Sequence, residues 1–172
     1  MNYLLVIDVQ KQFNTGGYEK CLEFIEKHRD EYDKVVATVF KQDRSVNGNY
    51  AKLKYDGCMD ASEKDIEFQT DMTVIKHGYG LPGNFFSPKD RVDVIGCETD
   101  ACVLATCFNL WDDGIDFQVL WDYVYTSADI AEIELWKIYK RNFGVNGLKW
   151  WQRLIGCISD KKADILKFMK TE

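Results

Sequence analysis

Short apolar runs alternate along this chain with stretches whose apolar residues recur at helical spacing. Tyr3 to Asp8 is nearly unbroken apolar sequence and predicts a first strand. Residues 19–32 then place Leu22, Ile25, His28 and Tyr32 near one helical face. Lys34 to Phe40 and Met72 to Lys76 predict the second and third strands, and Arg91 to Gly96 the fourth. A helix from about Thr99 to Asp113 follows at once. Asp116 to Trp121 predicts a fifth strand, residues 129–142 a helix, and Leu154 to Ile158 a sixth strand. Ser159 suits the N-cap of a last helix in which Ala163, Leu166 and Met169 share a face.

Apolar strands separated by helices imply a mostly parallel sheet covered on both faces. The expected fold class is α/β, a three-layer α/β/α sandwich on a six-stranded sheet, forming one domain over residues 1–172. In such sheets ligands bind beyond the carboxyl ends of the strands. Asp8, Lys76 and the turn from Gly96 to Cys102 all fall at those ends, so three reactive groups should converge on one rim. The stretch from Lys41 to Thr70 is polar, carries Asn47-Gly48 and Asp56-Gly57 turn signals, and keeps no sustained period. Long irregular loops of this kind often act as a lid or a pocket wall.

Composition narrows the partners. The 172 residues are 46% hydrophobic and 14% aromatic, which suits one filled core. A net charge of −6, with no Lys/Arg run, argues against nucleic acid and for a small-molecule substrate. The first apolar run has no basic lead-in and no cleavage site, and no apolar stretch approaches the roughly 20 residues that cross a bilayer. Neither a signal peptide nor a membrane partner is expected. Six scattered cysteines in a chain of this length read as reduced thiols of a cytoplasmic protein. There is no Cys-x-x-Cys, and His28 and His77 form no ligand pair with the cysteines, so no metal is expected.

Cys102 follows a strand end at Gly96 and a good N-cap at Thr99, which puts it in the first turn of a helix. Unpaired N–H groups and the helix dipole favour a thiolate there, and the same N–H groups could hold an oxyanion. Taken alone, the residue reads as a small buried apolar side chain. Asp8 at a strand end marks the rim and little more. Lys76 closes an apolar strand, where an ammonium would stabilise both a carboxylate and a thiolate; a lone lysine there reaches solvent about as often. Gly78 to Gly83 lacks the Lys-Ser/Thr ending of a phosphate loop, and strand alternation turns His77 away from the face of Lys76.

The three residues together lie in a recognisable order. Leu5-Val6-Ile7-Asp8-Val9-Gln10 with Phe13, Val74-Ile75-Lys76 with Tyr79, and Gly96-x-x-Thr99-Asp100-x-Cys102-Val103 resemble the isochorismatase-like cysteine hydrolases over roughly residues 3 to 129. The group includes nicotinamidases, N-carbamoyl amide hydrolases and isochorismatase. The resemblance implies Asp8 as general base, Lys76 as its stabilising partner and Cys102 as the nucleophile that forms a thioester. It further implies an oxyanion hole from the N–H groups of Glu98 and Cys102, a cis peptide between Cys97 and Glu98, and a pocket lined by Phe13 and Tyr79. It also favours a homo-oligomer, as do the aromatic residues, among them Trp111, Trp121, Trp136, Trp150 and Trp151.

Departures from the pattern shape the expected activity. Nicotinamidases carry Asp-x-His after the second strand, whereas this chain reads Lys41-Gln42-Asp43-Arg44-Ser45 with no histidine between His28 and His77. A metal-dependent nicotinamidase is therefore not expected, and no cofactor is needed. The connection from Lys76 to Cys102 is short for the family, which predicts only one or two helical turns around Pro82 to Phe86. Glu98 stands where small apolar residues are usual, and Gln12 where Asp is frequent. The expected activity is hydrolysis of a non-peptide C–N bond in a small molecule. Vinyl ether hydrolysis is a rival within the family; a non-catalytic binding or scaffold protein and a thiol redox sensor resolved by Cys97 or Cys107 are rivals outside it.

Overall fold

The computed structural model describes residues 1–53 and 55–144. Five strands, β1 (Asn2–Ile7), β2 (Lys34–Phe40), β3 (Met72–Lys76), β4 (Arg91–Cys97) and β5 (Asp116–Tyr125), form one sheet in the order β3-β2-β1-β4-β5. Every pairing is parallel. The expected α/β sandwich is present. The sixth strand (Leu154 to Ile158), the Ser159-capped helix, Trp150 and Trp151 lie outside the described residues.

Alternation along the strands sorts the core into two halves. Leu4, Val6, Val35, Ala37 and Ile95 face helix α1 (Tyr18–His28), which buries Tyr18, Cys21, Phe24 and Ile25. Leu5, Ile7, Val36, Val92, Val94 and Val119 face the other way. There they meet α2 (Leu104–Asp112) and α3 (Glu132–Phe143) through Cys107, Leu110, Leu135, Trp136, Tyr139 and Phe143. Each buried Leu, Ile or Phe contributes about 1.5–3 kcal/mol, so both faces are needed to hold the sheet.

Several boundaries differ from expectation, each for a local reason. α1 stops at His28, and a 3-10 turn (Arg29–Glu31) separates it from Tyr32; the buried face is that of Tyr18, Cys21 and Ile25 rather than Leu22, His28 and Tyr32. β5 runs on to Tyr125 because a register shift between Val94 and Gly96 lets it bulge and continue. No helix forms between β3 and β4: residues 77–90 cross as an irregular loop anchored by Phe86 in the core. The long connection before β3 is also irregular, with 3-10 turns at Gly48–Lys52 and Glu63–Asp65, and it buries Tyr50, Cys58 and Ala61 against the sheet. Among the described residues no helix is long and apolar enough to cross a membrane.

Candidate active site

The carboxyl ends of β1, β3 and β4 deliver three side chains to one place. Asp8 follows β1 directly and holds a left-handed backbone, φ 50°. Lys76 is the last residue of β3 and pairs in register with Phe40 at the end of β2. Its ammonium lies 2.8 Å from Asp8 Oδ2, and both side chains are fully buried. Lys76 Nζ also donates to the carbonyls of Gly78 and Tyr79 at 3.0 Å each and stands 5.1 Å from the Phe40 ring centre.

Cys102 comes from the segment after β4. Gly96 has φ 122°, and a β-carbon there would fall 2.0 Å from the Ile7 carbonyl oxygen, so only glycine fits where β4 passes β1. The Cys97–Glu98 peptide is cis. A single π-helical turn, Thr99–Val103, then carries Cys102 before α2 begins; such turns recur at functional sites. Glu98, not Thr99, is the cap residue, and the Thr99 carbonyl accepts from Tyr139 OH at 2.6 Å. The Glu98 carbonyl accepts from the N–H groups of Ala101 and Val103, fixing the turn.

The electrostatics follow from burial. The Cys102 thiol is 3% exposed and is pushed well up from its ordinary pKa, first by desolvation and then by the Asp8 charge; Lys76 pulls the other way and is outweighed. At neutral pH the group is a thiol. The dipole argument from sequence, which favours a thiolate, loses to desolvation here. For Lys76, burial alone would lower the pKa, but Asp8 and Cys102 raise it on balance, so the ammonium stays charged.

Neither a protein-family model nor a curated protein matches the sequence. Solved structures do. The pyrazinamidase/nicotinamidase of Streptococcus mutans UA159 is 18% identical with a TM-score of 0.62, covering 86% of this chain and 98% of that one. N-carbamoylsarcosine amidase from Thermoplasma acidophilum is 20% identical with a TM-score of 0.59, covering 86% and 93%. An isochorismatase-like hydrolase from Alkaliphilus metalliredigens is 15% identical with a TM-score of 0.63, covering 81% and 91%.

The fold is isochorismatase-like.

Phe13 and Tyr79, the residues the motif implies for the pocket, both lie near the Phe40 ring. Phe13 lies 6.3 Å from the Phe40 ring and stacks on Tyr55 at 6.4 Å; Tyr79 stacks on Phe40 at 6.1 Å with about half its surface exposed. Tyr50 closes the group edge-on at 5.9 Å and donates to the His77 carbonyl. A hollow of about 180 Å³ opens beside it, lined by Asn47, Asn49, Tyr50, Leu53, Gly78 and Tyr79. Cys97 packs beneath Asp8 and its thiol donates to the Asp8 carbonyl at 3.2 Å.

Glu98 is engaged rather than free. Its oxygens accept from Thr126 Oγ1 at 2.8 Å, Ser127 N at 2.5 Å and Ser127 Oγ at 2.9 Å, tying the turn to the end of β5. Thr126 Oγ1 contacts Asp100 as well. The donor set does not fit a metal: Asp43 Oδ1 is taken by Ser45 N and Oγ, and His77 Nδ1 donates to the Lys41 carbonyl. Among the described residues no group of three His, Cys, Asp or Glu is arranged to hold a metal ion.

Thr38 was not singled out from the sequence, and Gln10, part of the first motif, was given no role. Thr38, fully buried in β2, bonds Asp8 twice. Gln10, also fully buried, accepts from Phe40 N at 2.8 Å and donates to the Phe40 carbonyl at 3.1 Å, clamping the end of β2 to the chain after β1. The available signal was polarity: Thr38 interrupts the apolar run Val35 to Phe40, and Gln10 follows the buried Val9.

Proposed function

We propose that this chain is a cysteine hydrolase acting on the amide C–N bond of a small molecule, with Asp8, Lys76 and Cys102 as its catalytic set and no cofactor. The observation that carries the reading is the fully buried Asp8–Lys76 pair set beside the buried Cys102 on a π-helical turn. A thiol needs a base, and the Asp8 carboxylate, held 2.8 Å from Lys76 Nζ and close enough to Cys102 to raise its pKa, is placed to supply it. Likeness to amidases of the same fold supports the reaction class.

In this reading Asp8 takes the Cys102 proton as sulfur attacks the carbonyl carbon, and the N–H groups of Glu98 and Cys102 hold the oxyanion. The C–N bond breaks, the leaving amine or ammonia takes the proton from Asp8, and a thioester remains on Cys102. Water then gives its proton to Asp8 and its oxygen to the acyl carbon; the acid leaves and the thiol is restored. Lys76 stays paired with Asp8 between steps. Phe13 and Tyr79 hold the substrate against Phe40.

The test uses p-nitrophenyl acetate as a general acyl donor, with the acetyl group located by mass spectrometry. Acetylation should fall on Cys102 at least tenfold faster than on any other cysteine, and Asp8→Asn should slow it by on the order of 10²-fold. Acetylation spread evenly over the cysteines and unchanged by Asp8→Asn would overturn the reading and leave a binding protein on the same fold.

A further inference from the structure

We infer that Thr38 is a positioning residue for Asp8: its hydroxyl, aimed by the Asp8 backbone, holds one carboxylate oxygen so that the other faces Lys76 and Cys102. This deepens the hydrolase reading and rests on it. The Asp8 N–H donates to Thr38 Oγ1 at 3.1 Å, and Thr38 Oγ1 lies 2.6 Å from Asp8 Oδ1. A hydroxyl has one proton. With a lone pair occupied by the Asp8 N–H, that proton points to Oδ1, so the rotor is fixed as a donor. Both residues are fully buried.

The arrangement divides the labour within one carboxylate. Oδ1 is held by Thr38, while Oδ2 stands 2.8 Å from Lys76 Nζ. A donated hydrogen bond favours the charged form of a carboxylate, which burial opposes. Thr38 thus keeps the base ready and prevents the side chain from rotating off the nucleophile. Lys76, Cys58, Cys97 and Cys102 are the titratable groups that face Asp8 from the surrounding elements.

The experiment follows Cys102 acetylation by p-nitrophenyl acetate against pH in wild type, Thr38→Val, Thr38→Ser and Asp8→Asn. In Thr38→Val the acid limb of the profile should move up by about one pH unit, the size expected for losing one hydrogen bond to a charge. Thr38→Ser should restore the wild-type limb. A merely structural threonine would lower the melting temperature and leave the limb where it was, which overturns the inference. Should Thr38→Val not fold, Thr38→Cys carries the same test, its weaker donor giving an intermediate shift; an unmoved limb in Thr38→Cys again overturns the inference. If Asp8→Asn itself leaves the limb unchanged, the hydrolase reading fails first, and the two failures are told apart.

Discussion

Lys76 Nζ sits 2.8 Å from Asp8 Oδ2 with neither side chain reaching solvent. Burying two charges is costly, and the pair offsets that cost only while both members and their hydrogen bonds are present. Thr38 on one side and the carbonyls of Gly78 and Tyr79 on the other supply those bonds. The predictions below start from this dependence.

Removing one partner should cost far more than removing both. Lys76→Met leaves a buried carboxylate uncompensated and should destabilise the fold by about 3–5 kcal/mol in urea unfolding. Adding Asp8→Asn to Lys76→Met should recover most of that loss. Equal losses for the single and double replacements would show that the charge pair is not what the fold depends on.

Asp8→Asn should make Cys102 easier to deprotonate, although it slows acyl transfer. Desolvation is the larger cause of the raised thiol pKa, and the Asp8 charge is the next. Without that charge only desolvation opposes the Lys76 ammonium, so the midpoint of iodoacetamide labelling should fall. Lys76→Ala should move it the other way. The pH dependence of labelling at Cys102, read by mass spectrometry, checks both directions.

Gly96→Ala should be among the most damaging single changes. The new methyl group would lie 2.0 Å from Ile7 O at a φ of 122°, and backbone rather than a flexible side chain would have to move. A loss of upwards of about 3 kcal/mol is expected, with Cys102 acetylation lost alongside. Thermal unfolding measured with the acetylation assay tests whether the two fall together.

Stability should decline on the alkaline side. Burial pushes the thiol of Cys21 up to about 12 and those of Cys97, Cys102 and Cys107 upward as well. An unfolded chain releases thiol protons from about pH 8.5, while the folded chain keeps them. The thiols' contribution is therefore complete below that pH and shrinks as pH rises, by about 1.4 kcal/mol per pH unit for each thiol. A melting temperature that stays level from pH 8 to 10 would contradict this.

The sheet and the rim were legible because the apolar runs end at informative residues. Asp8, Lys76 and the Gly96 turn each close a strand, and a parallel sheet brings such ends to one side. Thr38 was not legible, since threonine is an ordinary strand former and its role appears only once β2 lies beside β1. Glu98 was singled out, but its partners Thr126 and Ser127 lie at the far end of β5 and nothing local announces them. The expected helix near Pro82 is absent, and the crossover is held instead by Phe86 in the core with Leu81 and Phe85 packed against it.

The irregular connection between β2 and β3 also divides the site by chain. Residues before it carry Asp8, Gln10 and Thr38; residues after it carry Lys76, Cys97 and Cys102. A cut within it leaves the proposed base and the Thr38 hydroxyl on one fragment, and the ammonium and the proposed nucleophile on the other. Neither piece holds a complete proton path, so recovered acyl transfer on mixing the two would report their reassociation, making the molecule a split reporter of its own sheet.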